Sequence, residues 1–128
     1  PYPKPYLFIN ELNSGIHAID LLTHDKTGVI RGLKENRAMA IDTVEMKIYF
    51  RNGSSISRAN LDATGVEIFF KIDYVRTMVV DWLGRRLIWS TTSTNDWIFV
   101  MNLNRKGKRA LTKERAWNFD IAVDPTVG

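Results

Sequence analysis

The 128-residue sequence contains no cysteine, which excludes a disulfide framework and a thiolate metal site. It has only two histidines, His17 and His24, and no cysteine or carboxylate cluster stands beside them at metal-ligand spacing. No apolar run approaches the roughly 18 residues that a membrane-spanning helix needs. These absences leave the cellular compartment open, because a well-packed sheet protein can exist outside the cell without disulfides.

Neither sign of charge dominates the sequence. Lys and Arg number 18 against 14 Asp and Glu, a formal charge of +4, which is weak evidence for a nucleic-acid partner. Hydrophobic residues make up 45% and charged residues 25% of the chain, so wholesale disorder is not expected. The length suits one domain with a single core, so residues 1–128 are treated as a single domain.

Short runs of aromatic and β-branched residues fill the chain, and none has the length and 3.6-residue period of a helix. The dipeptide Asn52-Gly53 between two such runs is a strong hairpin signal. An apolar strand that ends in Asp recurs at Asp42, Asp81 and Asp124, with spacings of 39 and 43 residues. Four short antiparallel strands in a unit of about 40 residues are typical of a β-propeller blade.

The repeated units resemble the class B repeats of the low-density-lipoprotein receptor family, known as YWTD repeats. The resemblance covers residues 5–128, and the opening residues 5–10 are also similar to the first blade of the Wnt co-receptor propellers in that family. The tetrad's terminal Asp is replaced in each unit, by Asn10, Asn52 and Thr91. The matching segments are residues 7–10, 49–52 and 88–91 for the tetrad; residues 40–42, 79–82 and 122–125 for the Ala-x-Asp-Trp strand; and residues 56–62 for the Ile-x-x-Ala-Asn-Leu-Asp strand.

This resemblance implies a YWTD-type propeller of three four-stranded antiparallel blades, which is half of a six-bladed ring. In the family the Ala-x-Asp strand is innermost and the tetrad strand is second. The predicted parts are strands 2–4 of a first blade at 6–32, full blades at 38–71 and 78–111, and the inner strand of a further blade at 119–124. Either a homodimer or the remaining blades of a longer chain would complete the ring.

The resemblance also implies a non-catalytic, protein-binding module of an extracellular protein or of a receptor ectodomain, with no cofactor and no catalytic or metal-binding residue. Its expected partner is a secreted or cell-surface protein, and neither nucleic acid nor a membrane segment in this chain is expected. The loops that lead into the inner strands would carry the ligand, because family members use that face. The candidate ligand-binding residues are Glu11, Glu35, Asn36, Arg37, Tyr74, Arg76, Trp117 and Asn118.

Several features have two interpretations. The recurring acids Asp42, Asp81 and Asp124 either surround a channel or bind backbone in their turns. The sequon at Asn52 is a candidate glycosylation site or only a hairpin turn. The basic hairpin tip at 104–109 is a solvated turn or a site for heparan sulfate or another polyanion. Alternatives to protein binding are a propeller-type metal-dependent hydrolase or lactonase and a purely structural spacer.

Overall fold

The computed structural model describes residues 6–34, 36, 38–72, 74–91, 98–112 and 121–124. All regular secondary structure in these ranges is β-strand, which confirms the predicted all-β class. The strands are β1 (Tyr6–Glu11), β2 (Gly15–Asp20), β3 (Lys26–Arg31), β4 (Met39–Asp42), β5 (Lys47–Asn52), β6 (Ser55–Asn60), β7 (Glu67–Lys71), β8 (Val75–Asp81), β9 (Arg86–Thr91), β10 (Ile98–Asn102) and β11 (Arg109–Thr112).

The strands form three antiparallel sheets in chain order, which we call blade 1 (β1–β3), blade 2 (β4–β7) and blade 3 (β8–β11). Tight turns join successive strands within a blade. The β5–β6 turn illustrates how the sequence produces such a turn. The closing pair is Asn52 with Ser55, and Gly53 has a φ of 60° at the first position between them. Glycine adopts this conformation without a steric penalty, so the hairpin signal in the sequence leads directly to a two-residue turn.

Hydrophobic side chains pack the blades face to face. The seam between blades 1 and 2, which we call seam 1/2, contains Ile16, Ile48 and Phe50. The seam between blades 2 and 3, seam 2/3, contains Tyr49 and Trp89. The inner strands β4 and β8 lie beside each other, so the blades stack with their first strands towards a common axis. This packing confirms the propeller arrangement.

The tetrad of blade 1 begins one residue later than the sequence alignment predicted. The pair that closes the β1–β2 turn is Glu11 with Gly15, and its counterpart in blade 2 is Asn52 with Ser55. Counted from these pairs, the tetrad of blade 1 occupies residues 8–11 and not residues 7–10. The alignment failed because the β1–β2 turn has three residues where the β5–β6 turn has two. Glu11 therefore stands at the acidic position of the tetrad, which was predicted to be lost.

The two ends of the described chain have no blade beside them. Leu7 and Ile19 pair across β1 and β2 on the face that points away from blade 2, and Leu7 is half exposed. Residues 121–124, where the last inner strand was predicted, are irregular, and the rest of the predicted strand lies outside the described residues. An inner strand gains its hydrogen bonds from the second strand of its own blade. The described residues contain no such neighbour for residues 121–124.

Candidate ligand-binding face

One edge of the blades carries the loops that lead into the inner strands together with the β1–β2 and β5–β6 turns; we call it the loop face. Backbone hydrogen bonds join these segments into a rim. The Gly53 amide donates to the Lys34 carbonyl at 2.8 Å, and the Ile72 amide donates to the Ser54 carbonyl at 3.0 Å. Loops tied down in this way present their side chains in fixed positions. The opposite edge, which carries the other turns, is the turn face.

Asn36 lies in the loop before β4 and is fully buried, so it cannot contact a ligand directly. Its side-chain oxygen accepts a hydrogen bond from the Asn13 amide at 2.7 Å. Its side-chain nitrogen donates to the Asn10 side-chain oxygen at 2.5 Å and to the Glu11 carbonyl at 2.9 Å. The Asn10 side chain donates in return to the Asn36 carbonyl. Asn36 therefore fixes the loop before blade 2 to the first turn of blade 1.

Tyr74 lies in the loop before β8 and is 58% exposed. Its φ of 63° is in the left-handed region, which a residue with a large side chain seldom adopts. Arg76 follows inside a β-bulge between Val75 and Thr77, and its side chain is partly buried. Bulges occur beside binding sites because they redirect a side chain relative to the strand. The loop face thus exposes an aromatic ring two residues before a partly buried arginine.

Glu11 is the acidic member of the blade 1 tetrad at the edge of the loop face. It forms an ion pair with Lys26, and the His17 ring nitrogen Nε2 lies 3.8 Å from its carboxylate. The hydrogen bond from Lys26 lowers the pKa of Glu11 below its ordinary value, against a smaller opposing effect of desolvation. The carboxylate is therefore held in its charged form.

Comparisons with known proteins show which proteins the chain resembles. The chain is 34% identical over 89 residues to low-density lipoprotein receptor-related protein 5 of Homo sapiens and 37% identical over 89 residues to the same protein of Mus musculus. Each match covers 65% of this chain but only 5% and 6%, respectively, of those relatives. No family model matches the chain.

A solved structure supports the same fold. A chain of the nidogen/laminin complex superposes with a TM-score of 0.72 at 22% identity, over 77% of this chain and 40% of that chain. In sequence and in fold the chain is similar to the low-density-lipoprotein receptor class B (YWTD) repeat propellers.

Within the YWTD framework, half of the predicted binding residues can be placed. Glu11, Asn36, Tyr74 and Arg76 lie on the loop face, with Tyr74 the most exposed of them and Asn36 inaccessible. Asn52 is also exposed there, at the end of β5. The other predicted residues lie outside the described ranges: Glu35, Arg37, Trp117 and Asn118.

Two of the three repeated aspartates, Asp42 and Asp81, bind backbone in their turns, as one of the two interpretations predicted. Asp42 accepts from the Val44 amide at 3.0 Å, and Asp81 accepts from the Gly84 amide at 2.9 Å. The Gly84 hydrogen bond is the largest influence on Asp81, and the net result is a pKa below the ordinary aspartate value. These two acids therefore organise turns.

Sequence reasoning missed an ion pair on the turn face. The Arg85 guanidinium of blade 3 donates to both carboxylate oxygens of Asp42 in blade 2, at 2.8 and 2.6 Å, and also to Glu45 at 2.6 Å. Burial alone would raise the pKa of Asp42, but the hydrogen bonds from Arg85 and Val44 outweigh it and lower the pKa. The partners are 43 residues apart, so no local sequence pattern predicts this ion pair.

A cleft of about 500 Å³ opens on the turn face at seam 2/3. Its arginines are already engaged, Arg85 by Asp42 and Arg58 by Glu67 at 2.6 Å, so the cleft offers few unpaired charges to a ligand. The cleft is lined by Glu45, Lys47, Arg58, Gly84, Arg85, Asn102, Leu103 and Asn104.

Among the described residues, no group of three or more His, Asp or Glu side chains is placed to hold a metal ion. The same residues include no helix with the length and apolar character needed to span a membrane.

Proposed function

We propose that the chain is part of an extracellular, non-catalytic YWTD propeller that captures a protein ligand on its loop face. The observation that carries this proposal is Tyr74, which is 58% exposed on a rim of hydrogen-bonded loops. Tyrosine and arginine are among the side chains that most often supply binding energy at protein interfaces, and Arg76 lies two residues away. The receptor-related proteins to which the chain is similar support the same class of function.

The loop face suits a protein ligand because hydrogen bonds already fix its loops before a ligand binds. The rim fixes Tyr74 on one side through the Ile72 amide, which donates to the Ser54 carbonyl. On the other side, Asn36 fixes the loop before blade 2 through both ends of its side chain. Interfaces that are organised in advance lose less conformational entropy on association. Tyr74 and Arg76 are thus proposed to touch the ligand, and Asn36 is proposed to position the rim.

The uncovered face of blade 1 is proposed to pack against a further blade. Leu7 and Ile19 are apolar and lie on that face, and the inner edge of β1 pairs with no strand among the described residues. The covering blade would belong either to a second copy, giving a homodimeric ring, or to the rest of a longer polypeptide. Light scattering of the purified 128-residue chain distinguishes the two: a dimer supports the first, and a folded monomer excludes it.

A matched pair of variants tests ligand capture. Leu83 on the turn face is as exposed as Tyr74, at 58%, so Leu83→Ala removes a comparable exposed side chain from the opposite edge. The wild-type chain would first be screened by interferometry against purified secreted and cell-surface ectodomains. For a partner found in this way, Tyr74→Ala is expected to weaken binding by roughly 30-fold and Leu83→Ala by less than about twofold.

Three outcomes would contradict the proposal. Equal losses for the two variants would place the ligand elsewhere. A stoichiometric metal in the purified protein, measured by elemental analysis, would favour the metal-dependent hydrolase. Failure to bind any ectodomain would favour a spacer role.

Glycosylation of Asn52 is tested separately. After secretion from a eukaryotic host, a glycan would be detected by intact mass and would be absent from Asn52→Gln.

A further inference from the structure

A basic edge lies on the outer part of blade 3, away from the loop face. It consists of Arg105, Lys106, Lys108 and Arg109, all exposed, in the β10–β11 turn and at the start of β11. The turn is closed by the Asn102 amide, which donates to the Lys106 carbonyl at 2.9 Å. A side chain at Gly107 would meet the side-chain nitrogen Nδ2 of Asn102 at 3.0 Å, and the φ of Gly107 is 72°. The cations are therefore carried by a tightly built turn.

Two members of the basic edge extend across seam 2/3 to the outer strand of blade 2. Arg105 donates to the Ile68 carbonyl at 3.0 Å and lies 3.3 Å from the Glu67 carboxylate. The Lys108 ammonium lies 5.0 Å from the centre of the Phe70 ring and 4.8 Å from that of Phe99. Cation–π contacts of this kind hold the charge over the rings and restrict its motion.

Only one carboxylate among the described residues contacts the basic edge. Glu67 is the carboxylate that contacts Arg105, and it is shared with Arg58. Neither Lys106 nor Arg109 contacts a carboxylate among the described residues. Fixed cations of one sign at an exposed edge create a positive potential that attracts a polyanion.

We propose that the basic edge binds a linear sulfated glycosaminoglycan. The arrangement favours a sulfated polysaccharide over a single-stranded nucleic acid because cations already lie over the nearby rings. Phe70 and Phe99 are covered by Lys108, and Phe69 by Arg58 at 5.3 Å, whereas nucleic-acid binding uses exposed rings as stacking platforms for bases. Lysine ammonium groups act as point charges and can pair with successive sulfates along a chain.

This site is independent of ligand capture on the loop face. The two sites lie on different parts of the molecule, because Tyr74 belongs to the loop before β8 and the basic edge to the β10–β11 turn. A loss of glycosaminoglycan binding therefore leaves the proposed protein ligand unaffected, and Tyr74→Ala should leave heparin affinity unchanged. The two proposals can fail separately.

The test uses the 128-residue chain and immobilised heparin, with an exposed arginine on the outermost strand of blade 1 as the control. Lys106→Ser and Arg109→Ser are each expected to weaken heparin binding by about fivefold, because each removes one cation from the field at the polyanion. Arg31→Ser changes the net charge equally but lies at the end of β3 and is expected to have less than about a twofold effect. The slope of log affinity against log salt should fall by up to about one for each edge substitution.

Specific outcomes decide the proposal. Retention on heparin at a higher salt concentration than on a sulfopropyl resin, and loss of binding to desulfated heparin, support it. Equal effects of Arg109→Ser and Arg31→Ser would overturn it, because the attraction would then be a property of the net charge. Tighter binding to single-stranded DNA or to anionic lipid vesicles than to heparin would also overturn it. Circular dichroism of each variant confirms that the exposed substitutions leave the fold intact.

Discussion

The two seams of the molecule are built on one backbone plan but held by different side chains. Seam 1/2 is mainly aliphatic around Ile16 and Ile48, and the buried amide of Asn36 closes it at the loop face. Seam 2/3 is aromatic, with Trp89 stacked on Phe99 at 5.7 Å between ring centres. At its turn face it is closed by the ion pair of Arg85 with Asp42.

The shared plan is visible in the backbone hydrogen bonds. The Leu61 amide donates to the Met46 carbonyl at 3.2 Å in blade 2, and the Leu103 amide donates to the Arg85 carbonyl at 3.0 Å in blade 3. Met46 and Arg85 also share a positive φ, of 55° and 57°. The same turn thus places a thioether in one blade and a guanidinium in the next. The repeat therefore specifies the blade, while individual side chains decide how each seam is fastened.

The largest expected effect is the loss of the aromatic centre of seam 2/3. Trp89 is fully buried between blades 2 and 3, so Trp89→Ala should lower the free energy of unfolding by about 4 kcal/mol through lost burial and the cavity left behind. Its counterpart in seam 1/2 is Phe50, and Phe50→Ala should cost about 3 kcal/mol. Urea unfolding monitored by circular dichroism measures both. A larger loss for Phe50→Ala would mean that seam 1/2, not seam 2/3, is the stronger.

The next effect concerns the ion pair that only seam 2/3 has in the described chain. Arg85→Ala leaves the fully buried Asp42 carboxylate without its cation and should cost about 3 kcal/mol, at the low end for a buried pair because Arg85 is partly exposed. Adding Asp42→Asn should recover part of this loss, because the unpaired charge is then removed. If Arg85→Ala costs less than about 1 kcal/mol, solvent screens the pair and the ion pair does not fasten seam 2/3.

The ion pair also predicts a pH dependence. The pKa of Asp42 is lowered in the folded protein, so its stabilising effect is fully present above the ordinary value of 3.8 and is lost as pH falls through the lower folded value. The stability difference between the wild type and Asp42→Asn should therefore shrink as the pH falls below about 4. Urea midpoints across this range measure it. A constant difference would show that the Asp42 charge is not what stabilises seam 2/3.

The fold could be predicted from the sequence because the same strand pattern recurs in each repeat. The spacing of Asp42 and Asp81, the alternation of apolar residues and Asn52-Gly53 are local signals, and each one predicts the same antiparallel unit. The alignment of the first tetrad failed because turn length is not encoded by the strand pattern. The extra residue in the β1–β2 turn moved Glu11 to the position assigned to Asn10.

The position of the proposed site on the loop face could be predicted in part. Loops that lead into inner strands can be recognised from the repeat, and Tyr74, which is proposed to bind the ligand, is exposed there. The role of Asn36 could not be foreseen, because its partners Asn10 and Asn13 belong to another blade and burial of a loop amide is a tertiary property. The Arg85 pair was hidden for the same reason.

Asn36 provides the matching test for seam 1/2. Asn36→Ala removes the acceptor of the Asn13 amide and the donor to the Glu11 carbonyl, and we expect a loss of about 2 kcal/mol for these partly buried groups. Asn36→Asp keeps the acceptor but places a buried carboxylate oxygen against the Asn10 and Glu11 oxygens, so it should cost at least as much as Asn36→Ala. Hydrogen exchange at the Asn13 amide reports the local effect. Unchanged protection in Asn36→Ala would show that the amide network does not close this seam.

The smallest effect concerns the loop before β8, at the loop face of seam 2/3. The corresponding loop of seam 1/2 contains the Asn36 hydrogen bonds, whereas this one contains a residue with a strained backbone. Tyr74 has a φ of 63°, a conformation that glycine adopts at no steric cost, so Tyr74→Gly should raise the free energy of unfolding by about 0.5 kcal/mol. Tyr74→Ala keeps the strain and is the control, with little expected gain. Thermal unfolding measures the difference between the two variants. Lower stability of Tyr74→Gly than of Tyr74→Ala would contradict this prediction. It would show that the positive φ of Tyr74 does not reduce the free energy of unfolding.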